Sequence, residues 1–138
     1  MRRAWIVVIG LATLLPAQNL HYKQDPNWQV PADAAAKKNP LADKPDLAAG
    51  GGKLFTRICA HCHGSNATGL KNAADLLLPE VQAQSDGALF WKISNGNPDR
   101  GMPPWTRLPE LQRWQIILYL RALRTAPEAP QSNAKSAR

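Results

Sequence analysis

Cys59-Ala60-His61-Cys62-His63 is the stretch that decides what this 138-residue chain must fold around. It has the CxxCH spacing that attaches haem covalently to a polypeptide. Two cysteines three positions apart lie on one helical turn, so both thiols can form thioethers with the vinyl groups of one porphyrin. The histidine that follows is placed to bind the iron. We therefore predict one haem c, attached at Cys59 and Cys62, with His63 as a ligand of the metal.

Other uses of this cysteine pair fit the sequence less well. A structural zinc site takes four ligands, and the chain has two cysteines in all. A redox CxxC belongs to a βαβ pattern, which the flanking residues lack. A disulfide between Cys59 and Cys62 remains an alternative, but it leaves His63 without a role. We expect His61, inside the motif, to be a solvated side chain.

The second axial ligand of the iron is predicted to be Met102. It lies in Arg100-Gly101-Met102-Pro103-Pro104-Trp105, where one glycine and two prolines favour a stiff, extended loop. Such a loop can hold a side chain over a haem face, and a neutral sulfur opposite imidazole raises the reduction potential. There are two alternatives: His21 could be the ligand instead, or Met102 could be an ordinary apolar side chain packed beside Trp105.

The two ends of the chain differ from its middle. Residues 1–17 combine a basic start, a short apolar run and Pro16-Ala17, a pattern typical of a cleaved secretory signal peptide. The apolar run, from Ala4 to Leu15, is shorter than the about 20 residues needed to cross a bilayer, so cleavage after Ala17 is favoured. An uncleaved membrane anchor is the alternative. Residues 18–46 form a proline-containing extension, in which we expect Trp28 to pack back on the domain. Residues 127–138 are predicted to be a flexible tail.

Residues 47–126 are predicted to be one small all-α domain. A first helix should start near Asp46, as N-cap, and run to the CxxCH motif. A second should be capped by Ser85 and end at Asn95-Gly96, and a third should run from about Pro109 to Arg124. The three glycines of the first helix, 50–52, each weaken it by about 1 kcal/mol, which suggests close approach of another helix.

Together these residues resemble a class I cytochrome c of the short bacterial type. The resemblance rests on CAHCHG, the GMPPW loop and a last helix with aromatic side chains, in that order. It implies a small helical bundle around one His/Met-ligated haem, in which the first and last helices cross. It also implies contacts between these helices at Gly51, Phe55 and Tyr119. Finally, it implies a backbone carbonyl beside the His63 ring, for which Pro79 is the best match.

Charge and ligation lead to the functional hypotheses. Residues 50–125 carry a net charge of +4, which would steer the protein towards acidic surfaces of redox partners. Scattered surface lysines and arginines without special meaning explain the charge equally well, and no basic cluster indicates nucleic acid binding. We expect a periplasmic electron carrier and not an enzyme. The alternatives are a haem c subunit of a larger oxidoreductase, and a ligand sensor or peroxidase-like enzyme.

Overall fold

The computed structural model describes residues 22–70 and 72–125. The described residues form six α-helices, which are α1 (Ala32–Ala35), α2 (Ala48–Ile58), α3 (Ala60–His63), α4 (Pro79–Gln82), α5 (Asp86–Asn95) and α6 (Glu110–Thr125). Two 3₁₀ turns, Pro45–Leu47 and Pro98–Arg100, complete the regular structure. Within these ranges no strand forms, so the prediction of an all-α fold is confirmed.

The crossing of α2 and α6 organises the domain. The two helices meet at Gly51, where a Cβ atom would lie 1.9 Å from the Gln115 carbonyl oxygen. One turn further along, the rings of Phe55 and Tyr119 have centroids 5.4 Å apart. The glycines of α2 therefore serve the close approach expected from the sequence, and the implied contact of these helices at Phe55 and Tyr119 is confirmed.

Helix α6 contributes to two groups of buried apolar side chains. The first core cluster comprises Leu41, Val81, Leu89, Phe90, Trp114 and Ile117. The second comprises Leu54, Phe55, Ala67, Ile116 and Leu120. Phe55, Ile116 and Ile117 are essentially inaccessible to solvent. Burial of each such side chain contributes about 1.5–3 kcal/mol, so these three side chains join α6 firmly to the rest of the fold.

The helix boundaries follow the predicted pattern in α5 and α6 and depart from it at α2. The Ser85 hydroxyl accepts the Ala88 amide, 3.1 Å away, which caps α5 as predicted. The prediction of Asp46 as an N-cap is wrong. Pro45 starts a 3₁₀ turn that includes Asp46, and the α-helix begins at Ala48 without a side-chain cap. The short helix α4 was not predicted either, because four residues carry too little periodic signal.

The described part of the predicted extension is docked on the helices. Helix α1 packs on α5, and a Cβ atom on Gly87 would lie 2.3 Å from the Ala34 carbonyl oxygen. The buried Asn39 side chain donates to the Trp114 carbonyl at 3.3 Å. Trp28 packs back as expected, with the Lys92 ammonium 4.6 Å from the centre of its ring. Residues 22–46 therefore contribute to the packing of the helical domain.

Several predictions concern parts of the chain outside the described residues. These are the signal peptide at residues 1–17, the alternative ligand His21 and the tail at residues 127–138. Among residues 22–70 and 72–125, no helix has both the length and the apolar character that a membrane span requires.

Candidate functional site

The CxxCH motif begins at Cys59, the residue that follows α2, and continues through α3. The Cys59 amide still donates to the Phe55 carbonyl of α2, at 2.8 Å. The Cys59 carbonyl accepts the amides of Cys62 at 3.1 Å and His63 at 2.9 Å. Helical geometry therefore continues through the motif and places the two cysteines one turn apart. Both are free thiols, so the alternative of a disulfide between them is not what this structure contains. His61 is exposed, as expected for a solvated residue.

The imidazole of His63 is held by a backbone carbonyl. Its Nδ1 atom lies 2.9 Å from the Ala74 oxygen. Because a carbonyl can only accept, Nδ1 must carry the proton, which leaves Nε2 with a free lone pair. Burial lowers the pKa of His63, although the bond to Ala74 acts in the opposite direction. The ring is therefore neutral near pH 7 and presents one nitrogen that can bind a metal.

The structure corrects the assignment of this carbonyl to Pro79. Pro79 is the first residue of α4, and its oxygen accepts the Ala83 amide at 2.8 Å. That bond is part of the local helical pattern, whereas Ala74 lies in the loop that returns to the histidine. The resemblance implied a carbonyl partner for His63 but did not fix its position, because an irregular loop has no periodicity.

The loop after α3 is tied to the motif at several points. The amides of Gly69 and Leu70 donate to the carbonyls of His63 and Cys62, at 2.7 and 3.1 Å respectively. Gly69 has φ of +79°, and a Cβ atom there would lie 2.5 Å from the Ala73 oxygen. Only glycine adopts this conformation without strain at such a close approach. These bonds fix the path of the chain that carries Ala74 to the His63 ring.

The surroundings of Cys59 suit a flat apolar group. Burial raises the pKa of its thiol to about 12, with Cys62 as a smaller cause. Several apolar residues packed on the second core cluster in this region are only partly buried, namely Ile58, Ala60, Leu76, Leu77, Ile93 and Leu108. Incompletely covered apolar surface beside two thiols and a neutral imidazole is what a covalent porphyrin would cover. The residues present therefore fit the predicted haem.

Met102 lies in a separate loop that follows α5. Its amide and carbonyl pair with those of Asn97 at 3.0 and 2.8 Å, and the intervening Pro98–Arg100 forms a 3₁₀ turn. The Trp105 amide lies 3.1 Å from the Ile93 oxygen, so the loop is also fastened after its prolines. Ile93 and Leu108, on its two flanks, pack on the same core cluster as Cys59. Cys59, Cys62 and His63 thus share one turn, and Met102 belongs to a loop anchored on the same core.

Comparison with known families places this site in context. The family described as cytochrome c oxidase, cbb3-type, subunit III matches residues 46–120, more than half of the chain. A comparison with curated proteins gave no match. The matched range contains the CxxCH motif, Ala74 and Met102. Its class I-like cytochrome c domain carries covalently bound haem c, for which Cys59 and Cys62 have the required spacing, and it functions in electron transfer. The chain therefore belongs to the cbb3-type cytochrome c oxidase subunit III family of c-type cytochrome domains.

Proposed function

We propose that this protein is a periplasmic one-electron carrier in which His63 and Met102 bind the haem iron. The observation that supports it most is the His63 bond to Ala74, which uses Nδ1 and leaves the Nε2 lone pair free to bind a metal. His63 and Met102 would hold the iron of the bound haem, and the haem would supply a ferric/ferrous couple for one-electron transfer. On this proposal the protein is not an enzyme.

The protein's own residues would set how that couple behaves. The neutral imidazole of His63, oriented by Ala74, would be a constant donor across the physiological pH range. The thioether of Met102 would favour the ferrous state and raise the potential. Pro103 and Pro104, which follow it, limit the loop's freedom, which would make release of the sulfur unfavourable. A substrate would then find no open position on the metal.

Absorption spectra of the oxidised and reduced protein test the ligation. Met102→His should lower the reduction potential and remove the charge-transfer band of sulfur-ligated ferric haem. Met102→Ala should open a site for carbon monoxide, which the unchanged protein should bind slowly or not at all. Leu111→Ala, a truncation of an exposed apolar residue on α6, serves as the control. Rapid carbon monoxide binding by the unchanged protein would favour the sensor or peroxidase alternative.

A second candidate function is a haem c subunit of a larger oxidoreductase. The name of the matched family favours it, since that family is described as a subunit of an oxidase. Gel filtration of a native extract, monitored by haem absorbance, distinguishes the carrier from the subunit. Elution near the mass of a single chain supports the carrier, whereas co-elution with a much larger complex supports the subunit.

Export and partner choice are parts of the same proposal. We propose cleavage after Ala17, so mass spectrometry of periplasmic protein should give an N-terminus at or near Gln18. Retention of residues 1–17 with recovery in membranes would support the anchored alternative. The basic charge of the domain would favour acidic surfaces on redox partners, and the rate of electron exchange should then fall as ionic strength rises.

A further inference from the structure

The Met102 loop is closed by a pair of residues that bond to each other twice. The Asn97 amide donates to the Met102 carbonyl at 2.8 Å, and the Met102 amide donates to the Asn97 carbonyl at 3.0 Å. Arg100 also donates its amide to the Asn97 carbonyl, at 3.0 Å. Any displacement of the Asn97 backbone therefore moves the backbone of Met102 with it.

Asn97 is in turn held by a residue from the far end of the chain. Its side-chain amide donates to the Asp25 carboxylate at 2.9 Å, across 72 positions of sequence. The other carboxylate oxygen accepts the Asn27 amide at 3.0 Å, which orients the Asp25 side chain. Asn97 is only 8% exposed, so the Asp25 carboxylate is the charged hydrogen-bond partner of a buried side-chain amide.

A further contact holds residues 22–30, which we call the N-terminal segment, in this place. Lys92, in the last turn of α5, lies with its ammonium 4.6 Å from the centre of the Trp28 ring. Burial raises the pKa of the Tyr22 hydroxyl, while the Arg100 guanidinium partly offsets this effect. Arg100 belongs to the turn between Asn97 and Met102, so its charge also acts on the N-terminal segment.

We propose that the N-terminal segment is a positioning element for the iron ligand Met102, acting through the bond from Asn97 to Asp25. The inference rests on the proposed His63/Met102 ligation. Asp25 would not touch the haem or the sulfur. Its role would be to reduce the excursions of the loop in which Met102 leaves the iron, and so to limit access of other ligands to the metal.

Binding of imidazole to the oxidised holoprotein measures these excursions, because an external ligand enters only when the sulfur has left. Asp25→Ala should raise the association rate about 10-fold, as expected for loss of a charge-assisted hydrogen bond to the loop. Asp43→Ala, which removes the same charge from an exposed turn of the same extension, should leave the rate unchanged. Hydrogen exchange at the Met102 amide should also quicken in Asp25→Ala, while the amides of α2 and α6 keep their protection.

Asn97→Ala provides a second variant in case Asp25→Ala affects folding. It removes the donor but keeps the two backbone bonds to Met102, so it should raise the imidazole rate by a similar factor. The double variant should show little further increase, because both changes break one bond. An unchanged rate and unchanged Met102 exchange in the single variants would overturn the positioning role.

The ligation proposal can fail separately from this inference. If the spectrum of the unchanged protein lacked the sulfur band and did not respond to Met102→Ala, the assignment of Met102 would be wrong. Faster exchange at the Met102 amide in Asp25→Ala would then support only the contact between segment and loop. If the band were present and Asp25→Ala had no effect on imidazole binding or exchange, the inference alone would be wrong.

Discussion

Substitution of Gly51 by alanine should destabilise the protein more than the same change at either neighbouring glycine. All three glycines lie in α2, where alanine is intrinsically better by about 1 kcal/mol. At Gly51 the added Cβ would lie 1.9 Å from the Gln115 carbonyl oxygen and 2.5 Å from its carbon. These are backbone atoms of α6, which cannot rotate out of the way.

The expected magnitude follows from this geometry. Ordinary contact for a Cβ begins at 3.4 Å, so α2 and α6 would have to separate by about 1.5 Å at their crossing. Overpacking of a tight core costs about 1–3 kcal/mol, and a clash with backbone belongs at the upper end. After subtraction of the helix-propensity gain, Gly51→Ala should lose about 2 kcal/mol of unfolding free energy. For a domain of this size the Tm should fall by about 10 °C.

The neighbouring glycines supply matched controls. At Gly50 the nearest atom to an added Cβ is the Gln115 side-chain nitrogen at 3.3 Å, the end of a flexible chain. Gly50→Ala should therefore be neutral or stabilising by up to about 1 kcal/mol. Gly52→Ala meets the Tyr119 ring at 3.0 Å and should fall between the two.

Thermal and urea unfolding of the three holoproteins, followed by far-ultraviolet circular dichroism, measure this order. The haem spectrum should be recorded for each variant, so that loss of attachment is not mistaken for loss of packing. Equal Tm values for Gly50→Ala and Gly51→Ala would refute the argument. The two substitutions gain the same helix propensity and differ only in the space available to the added Cβ atom.

Three further predictions concern the docked extension and the cofactor. Asn39→Ala should lose about 1–3 kcal/mol in urea unfolding, since the buried side-chain amide donates to the Trp114 carbonyl and accepts the Leu41 amide. A loss below about 0.5 kcal/mol would contradict this. The bond from Asn97 lowers the pKa of Asp25, so the stability it contributes is present above the usual aspartate pKa and is lost as pH falls through the lowered value. The difference in Tm between the unchanged protein and Asp25→Asn should therefore shrink on acidification, and a constant difference would count against it. Removal of haem attachment by Cys59→Ala with Cys62→Ala should leave little cooperatively folded protein, because the domain is small and its apolar surface near Cys59 would stay uncovered; a native-like cooperative melt would show that the core suffices.

The relation between α5 and its sequence shows what local signals can determine. Ser85 before an acidic first turn, and Asn95-Gly96 at the end, specify a helix whose boundaries the structure reproduces. Capping depends on residues within three or four positions, so it can be read without knowledge of the fold. The CxxCH turn belongs to the same class, since helical spacing alone brings its two thiols and its imidazole together.

Contacts between distant parts of the chain cannot be predicted from such local signals. The Ala74 carbonyl that bonds His63 lies 11 positions along the chain, whereas the family resemblance implied Pro79. The bond between Asp25 and Asn97 spans 72 positions and joins two segments that separately resemble ordinary turns. The sequence by itself determined the cofactor, the helical class and the ends of α5 and α6, because each depends on neighbours along the chain. Only the tertiary structure decided which carbonyl orients the histidine and which carboxylate holds the Met102 loop, because packing of the helices brings those groups within bonding distance.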